Sequence, residues 1–579
     1  MATLKLTAFT GEIPRILPRL LPDMASTHAF NTRLTDGSLD PIRLPRKIQT
    51  INSLADGDNT IYYDGAQWLS YPGVVNIVPG PVAASRLYIF GDGAPRVRVN
   101  GVERPLAITT PSSALSASVT GTGAGDVETR LYAYTFVTDL GEETPPSPLT
   151  DEVEWETGQT VTLSGFEVGD SARGVNTQRI YRSQTGQTGT DLYLIAERPA
   201  STGDFTDNIA PSDFDGQIPS TLWGSPPDDL EGLISMPNGM MAAFRGNEVW
   251  FCEPYRPHAW PESYILTVDY PIVGLGAYSS TLVIMTEGHP YIAQGSSPET
   301  MIMEELELNL PCVNKRGIVD LGYAIAYPSH DGLVVASQGG ARVATESLFS
   351  RNDWLEMDPG TFVCSQFDGR YYASYTFTNE LNEVERGALI IDLSGEQPFI
   401  IRTDIEADAF FYDVREGNLY YLEGDGIFLW DARGRPNAIQ SWWSKEFVMP
   451  APTNFGAILI EVVDSLTPSE IAAIEEEIAA VKQENEDSYD SELDGEVNGE
   501  AVNVFVVNGD TLKTVPILNR NVSVNVYADG KLYYSVSRFN TTARLPAGFK
   551  ARRWQVEITG DMQVEQVALA TTAAELRSV

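Results

Sequence analysis

At 579 residues the chain is too long for one compact core, and its 42% apolar and 10% aromatic residues are enough to build several. Its formal charge of −40, from 79 acidic against 39 basic residues, opposes non-specific adhesion to DNA or to anionic membranes, while leaving room for DNA that slides past a repelling wall without being held. Three widely spaced cysteines (Cys252, Cys312, Cys364) with no CxxC pair argue against a disulfide framework and for a reducing compartment, and neither a membrane-spanning apolar run nor a secretory apolar stretch is present.

The chain opens with an arm, residues 1–50. Five prolines between Gly11 and Arg46 (Pro14, Pro18, Pro22, Pro41, Pro45) fix φ and remove backbone donors. The expectation is that neither a long helix nor a central strand runs through it. Yet Ile13, Ile16, Leu17, Leu20, Leu21, Phe30, Leu34, Leu39 and Ile42 give it apolar surface to bury. Two readings stay open: a strap over its own domain, or an arm that packs on a neighbouring subunit.

Beyond the arm, most of the chain reads as strands. Short apolar-aromatic runs flank Gly-containing turns at 60–68, 86–100, 241–251, 281–293, 332–343, 362–377 and 418–430. Phe367-Asp368-Gly369-Arg370-Tyr371 and Glu423-Gly424-Asp425-Gly426-Ile427 are hairpin turns, where Gly or Asp-Gly supplies the positive φ that tight turns need. Markers at Ala243, Leu282, Leu333, Arg370 and Leu419 are separated by 39, 51, 37 and 49 residues, against the ~40–50 residues of a four-stranded propeller blade. The fold class is therefore mainly β: a β-propeller-like core, with first strands at 51–111 and the main blades at 225–460. A β-sandwich is the competing reading.

Residues 112–224 read as an insertion. Ser112 to Gly125 is a Ser/Thr/Gly-rich linker. Alternating strands come next, at 130–137, 160–163, 179–183, 192–196 and 203–207, with a proline-rich edge breaker at 139–148. This spacing suggests a small β-sandwich, and the segment resembles fibronectin type III-like modules. Ser225-Pro226-Pro227-Asp228-Asp229 is the return linker.

One helical insertion stands out, at 461–500. Thr467-Pro468-Ser469-Glu470 is a capping box with proline at the first helical position, and Leu466 with Ile471 suits a hydrophobic staple. Ile471, Ile474, Ile478 and Val481 recur at helical spacing. The acidic run Glu484 to Glu496 that comes after it should be solvated and mobile. Strands return at 501–579: Val502 to Val507, Val522 to Tyr527, Lys531 to Ser537 and Trp554 to Ile558.

The search for chemistry finds little. Four histidines (His28, His258, His289, His330) are unpaired in sequence, and no phosphate loop, dinucleotide fingerprint or nucleophile elbow occurs. Asp487, Asp490 and Asp494 lack calcium-loop spacing. Ser329-His330-Asp331-Gly332 is only a fragment of a sialidase Asp-box, and no carboxylate pair can be singled out for glycosidase work. The expectation is a non-enzyme with no cofactor and no metal. Basic residues cluster at Arg43, Arg46 and Lys47, and at Lys550, Arg552 and Arg553 beside Trp554. These are either paired within the chain or docked on an acidic partner. Trp442-Trp443, with Lys445 and Phe447, fills a core or anchors an interface.

Both ends carry a family likeness. Glu12-Ile13-Pro14-Arg15, Leu20-Leu21-Pro22, Ala29, Asn31 to Leu34, Gly37-Ser38-Leu39 and Pro41-Ile42-Arg43 resemble the opening of the tail nozzle proteins of short-tailed bacteriophages, the tubular protein B group. Arg544 to Trp554, followed by Val564 to Leu569, resembles the end of the same group. The resemblance implies a virion structural protein, assembled in the host cytoplasm into a hexameric ring of identical subunits at the distal end of the tail. It further implies a tail adaptor above the ring, tail fibres or spikes as further partners, and viral DNA passing through unbound during genome ejection. Ile13, Pro14, Arg15, Leu20, Leu21, Arg43, Arg46, Lys550, Arg552, Arg553 and Trp554 are the candidate assembly residues. The alternatives are a receptor- or glycan-binding propeller and a tail-associated glycan depolymerase.

Overall fold

The computed structural model describes residues 3–51, 58–185, 190–378, 383–395, 397–464, 466–493 and 515–578. The chain is mainly β, in many small and mostly antiparallel sheets. Four sheets are four-stranded meanders, at 76–105, 231–267, 272–305 and 319–343. A fifth uses the three strands at 409–429 and takes its fourth, Arg46–Thr50, from the arm. The four strands at 363–403 begin a ten-stranded sheet, and Asp58–Tyr63 with Trp68–Pro72 forms a hairpin.

These seven units are neighbours in a cyclic order. Glu231–Ser235 lies beside Asn76–Pro79, Ile272–Tyr278 beside Glu231–Ser235, and Val319–Asp320 beside Ile272–Tyr278. Val363–Phe367 is next, then Ala409–Asp413, then Asp58–Tyr63. The hairpin's Tyr71 shares a small core with Val75 and Ile89 of the 76–105 sheet. Asp368 and Gly369 take φ of 53° and 70° in the turn between Val363–Phe367 and Arg370–Thr378, as a two-residue hairpin requires. The sequence markers fall on second strands except Leu333, which lies on the third strand of its sheet; hence the uneven steps.

Among the described residues the strands of 116–207 form sheets only with one another, of three, two and three strands around Tyr132, Tyr134, Phe136, Leu163 and Ile180, and Tyr193 makes a single bridge to Gln217. The linker expected at Ser112 to Gly125 contains a strand, Ser116–Thr120, paired with Thr160–Ser164. Being mostly exposed, an edge strand of small residues has the composition of a linker. The proline-rich stretch lies along Tyr132–Thr138: Thr144, Ser147 and Thr150 donate their N–H to Phe136, Tyr134 and Tyr132 O, and their hydroxyls accept the N–H of the same three residues. Hydroxyls every third residue replace the ladder that Pro145, Pro146 and Pro148 cannot complete.

The ends of the chain build a further body. The ten-stranded sheet continues from Phe399–Thr403 through Ser26–Phe30 to Gln440–Ser444, Ala551–Gly560, Val522–Ala528 and Lys531–Val536. It shares one core with a second sheet of Thr3–Leu6, Gln563–Ala570, Ala457–Val463 and Ala543–Arg544. One expectation is corrected here. A central strand does run through the arm, because Ser26–Phe30 falls in its proline-free middle. The C-terminal strands pair with strands of 1–30 and 440–463.

The long helix, Pro468–Leu493, starts where expected. Thr467 N donates to Glu470 Oε2 at 2.9 Å while Glu470 N donates to Thr467 Oγ1 at 3.3 Å. Leu466 and Ile474 are buried. The helix runs on to Leu493, so the segment expected to be mobile is helical in its first part; Asp494 and the strand expected at Val502 to Val507 lie outside the described residues. A six-residue helix, Arg351–Glu356, also appears, capped reciprocally by Ser350 and Asp353. No helix among the described residues is long and apolar enough to cross a membrane.

Candidate assembly surfaces

The arm is held at Gly11-Glu12. Glu12 pairs with Ile400 in both directions, N to O at 2.9 Å and O to N at 3.0 Å. Its buried carboxylate accepts Ala29 N–H at 2.8 Å and faces Arg402 Nε at 3.0 Å. A Cβ on Gly11 would stand 2.4 Å from Ile400 O, so glycine is required by close approach. Beyond this anchor Ile13 is buried with Leu348, Phe349 and Trp354, and Leu21 and Ala25 enter the same core. Arg15 N donates to Leu348 O at 2.9 Å, and its guanidinium reaches Glu346 O. Pro14 and Arg15 are exposed; Leu17 and Leu20, flanking Pro18, are exposed to 58% and 66%.

Arg33, Arg43 and Arg46 of the arm are engaged within the chain. Arg43 N donates to Asp431 Oδ1 at 2.8 Å and its guanidinium lies 3.8 Å from the same atom. Arg33 spans Asp431 and Asp40, at 2.7 Å to Asp431 Oδ2. Burial raises the Asp40 carboxyl above its ordinary range although Arg33 pulls the other way. Arg46 donates to Arg433 O at 2.7 Å.

At the other end Trp554 is a core residue, edge-on to Phe455 at 4.9 Å and to Tyr533 at 5.5 Å. It cannot act as a surface anchor. Lys550 and Arg552 are exposed and make no ion pair among the described residues. Arg553 sits 3.4 Å from Glu446 and 3.9 Å from Asp529. Of the aromatic pair, Trp442 is buried against Phe9 at 4.9 Å, and Trp443 stacks on Tyr527 at 5.2 Å.

Sequence reasoning missed Gly11 and Glu12 as the anchor, although Glu12 is the lone acid between Gly11 and Leu21. It also passed over Leu532, Tyr534 and Phe549, whose signal was a long stretch free of acids.

Further buried polar groups lie away from the two ends of the chain. Asp207 accepts Tyr132 Oη and Arg182 Nη1, both at 2.7 Å, inside the 116–207 module. His258 lies at the module's junction, Nε2 3.1 Å from Glu143 O, and burial lowers its pKa to about 4. Burial pushes the Cys252 and Cys312 thiols up to about 12, which keeps them protonated and unreactive. No group of three His, Cys, Asp or Glu among the described residues is placed to hold a metal.

No family model matches the chain, and no curated protein does. Among solved structures it is similar to the N-terminal domain of Nup159, at 11% identity and a TM-score of 0.23, covering 58% of this chain and 81% of that one. It is also similar to PorZ, a bacterial surface component of the type-IX secretion system of Porphyromonas gingivalis, at 12% identity and a TM-score of 0.22, covering 62% of this chain and 45% of that one. For the AfRom2 CNH domain the identity is 7%, the TM-score 0.14 and the coverage 46% and 91%. Scores this low carry no argument.

Proposed function

We propose that this chain is a structural subunit of a short-tailed phage tail, the nozzle, built as a seven-bladed β-propeller with an inserted fibronectin III-like sandwich. Six copies would form a ring below a tail adaptor, and DNA would leave through the channel without being bound. The observation that carries the reading is the convergence of the two stretches on which the family likeness rests. Leu39 and Val564 exchange N–H···O bonds at 2.9 Å in both directions, Thr3–Leu6 pairs with Gln563–Ala570, and Leu39, Ile42, Trp554 and Val564 share one core. Motifs separated by most of the chain thus form one joint, as expected when both serve a single structural unit.

The seven sheets in cyclic order, with Arg46–Thr50 completing the sheet of 409–429, support the propeller. The two necks of the insertion support the module: Ser225 Oγ donates to Ile108 O at 3.0 Å, so a short Gly/Ser bridge in place of 112–224 should leave the rest folded.

The test is mass spectrometry of purified particles with native mass measurement of the isolated protein. A virion component of about six copies per tail is expected. Absence from particles would overturn the reading; a monomer that binds saccharide would replace it with glycan recognition, and saccharide cleavage with depolymerase activity.

A further inference from the structure

From Lys531 to Arg553 the sequence carries six bases (Lys531, Arg538, Arg544, Lys550, Arg552, Arg553) and no acid. Six positive charges taken out of a net −40 leave −46 on the remainder. All six are exposed, and among the described residues only Arg553 makes an ion pair. Asp529, immediately before the stretch, accepts the N–H of Arg552 and Arg553 at 3.3 and 3.0 Å. That brings the turn preceding Lys531 against the start of Ala551–Gly560. The stretch is also apolar at its surface: Leu532, Tyr534 and Phe549 are exposed to 56%, 42% and 43%. Phe549 is fixed by stacking on Tyr533 at 5.5 Å. Lys531–Val536 is the terminal strand of the ten-stranded sheet, with no strand on its outer side among the described residues.

An exposed sheet edge with large apolar side chains invites pairing, and natural edges are blunted by charge. Here the charge is of one sign, opposite to the rest of the molecule. It repels cationic surfaces and attracts acidic ones. The chain itself supplies such a surface. The helix Pro468–Leu493 holds nine acids against the single base Lys482, and Glu475, Glu476 and Glu486 are exposed on it.

We infer that the basic-aromatic edge at 531–553 is a contact between copies of this chain, receiving the acidic helix Pro468–Leu493 of the next copy. The two surfaces differ, so the contact is head-to-tail. Such contacts generate rings when the rotation closes. The inference rests on the proposed function, in which the chain assembles with itself, and it names where.

The experiment uses the full chain and two charge-reversed variants. One carries Lys531→Glu, Lys550→Glu and Arg552→Glu; the other carries Glu475→Lys, Glu476→Lys and Glu486→Lys. Native mass measurement at low salt should show the unaltered protein assembled. Either variant alone should need about tenfold or more protein to assemble. An equimolar mixture of the two should recover assembly, because each altered surface then meets its complement. Melting temperatures near that of the unaltered protein identify the loss as one of contact. Should a variant misfold, Leu532→Ser with Tyr534→Ser takes its place and should weaken assembly in the same direction. Variants that assemble like the unaltered protein, or a mixture that fails to recover, overturn the inference while leaving the virion reading to its particle test. An unaltered protein that stays monomeric also overturns it. So does one that binds a short DNA duplex through Lys550 and Arg552, which would make the edge a nucleic-acid contact.

Discussion

Residues 11–21 and 531–553 are alike in make-up, each setting arginines among large apolar side chains; the sequence marked Ile13 to Leu21 in the first, and Lys550, Arg552 and Arg553 at the end of the second, as candidate surfaces for assembly. The first puts Ile13 and Leu21 into a core with Trp354, fixed by Glu12 against Ile400 and Arg402. The second leaves Leu532, Tyr534 and Phe549 at the surface among cations that make almost no ion pairs. The difference lies in the neighbours. The arm continues into Ser26–Phe30, which lies between the strands Phe399–Thr403 and Gln440–Ser444 and pairs with one on each side. The C-terminal stretch ends a sheet, where one side has none. Apolar composition alone therefore does not mark an interface; position relative to a sheet edge does.

The largest test of this contrast removes residues 1–46. The truncation deletes Thr3–Leu6 and Ser26–Phe30 and opens the core that Leu34, Leu39 and Ile42 close. Loss of any cooperative melting transition is expected. A truncated chain that melts cooperatively would restore a detachable arm.

Point substitutions sharpen it. Glu12→Ala strands Arg402 and the Ala29 N–H and should cost about 3 kcal/mol. Ile13→Ala, at a packed site, should cost roughly 2–4 kcal/mol. Both are read by denaturant titration. Leu20→Ala, by contrast, should stay within about 0.5 kcal/mol of the unaltered protein. Equal costs at Ile13 and Leu20 would mean that the exposed turn is covered in solution.

Gly11→Ala should cost about 1–3 kcal/mol, because its Cβ would press on Ile400 O and the Phe399 ring. A neutral result would show that the backbone there can retreat.

The smallest effect is acid sensitivity. Burial pushes the Asp392 carboxyl up, but the Ser394 hydroxyl and N–H, with Arg370, outweigh it and hold its pKa below the ordinary value. Arg370 in turn donates to Leu34 O of the arm at 3.4 Å. A depressed carboxylate contributes stability that is present above its unfolded pKa, about 3.9, and is lost as pH falls through the folded value. Below about pH 4 the melting temperature of the unaltered protein should therefore fall more steeply than that of Asp392→Asn; parallel slopes would remove this link.

What the sequence made legible was local. The capping box at Thr467–Glu470 and the Asp368-Gly369 turn are legible to the residue, since each depends on atoms only a few positions apart. A second capping box, Ser350 to Asp353, carries the same local signal and was passed over. The arm's proline rule, correct for residues 14–22 and 41–45, reaches too far into 26–30. Among the candidate assembly residues, Trp554 and Arg43 carried the same signal as Lys550 and Arg552. Nothing within the chain's local pattern separates an arginine that meets Asp431 from one that meets solvent.

Composition, turn chemistry and helix start were thus determined by the sequence itself: a mainly β chain, strongly acidic, with one long helix. Only the tertiary structure decided that both ends join in one core, and which of their apolar side chains it covers. Pairings such as Leu39 with Val564 are selected by competition among all strand edges at once, and register between segments hundreds of residues apart is fixed by which faces they must bury together.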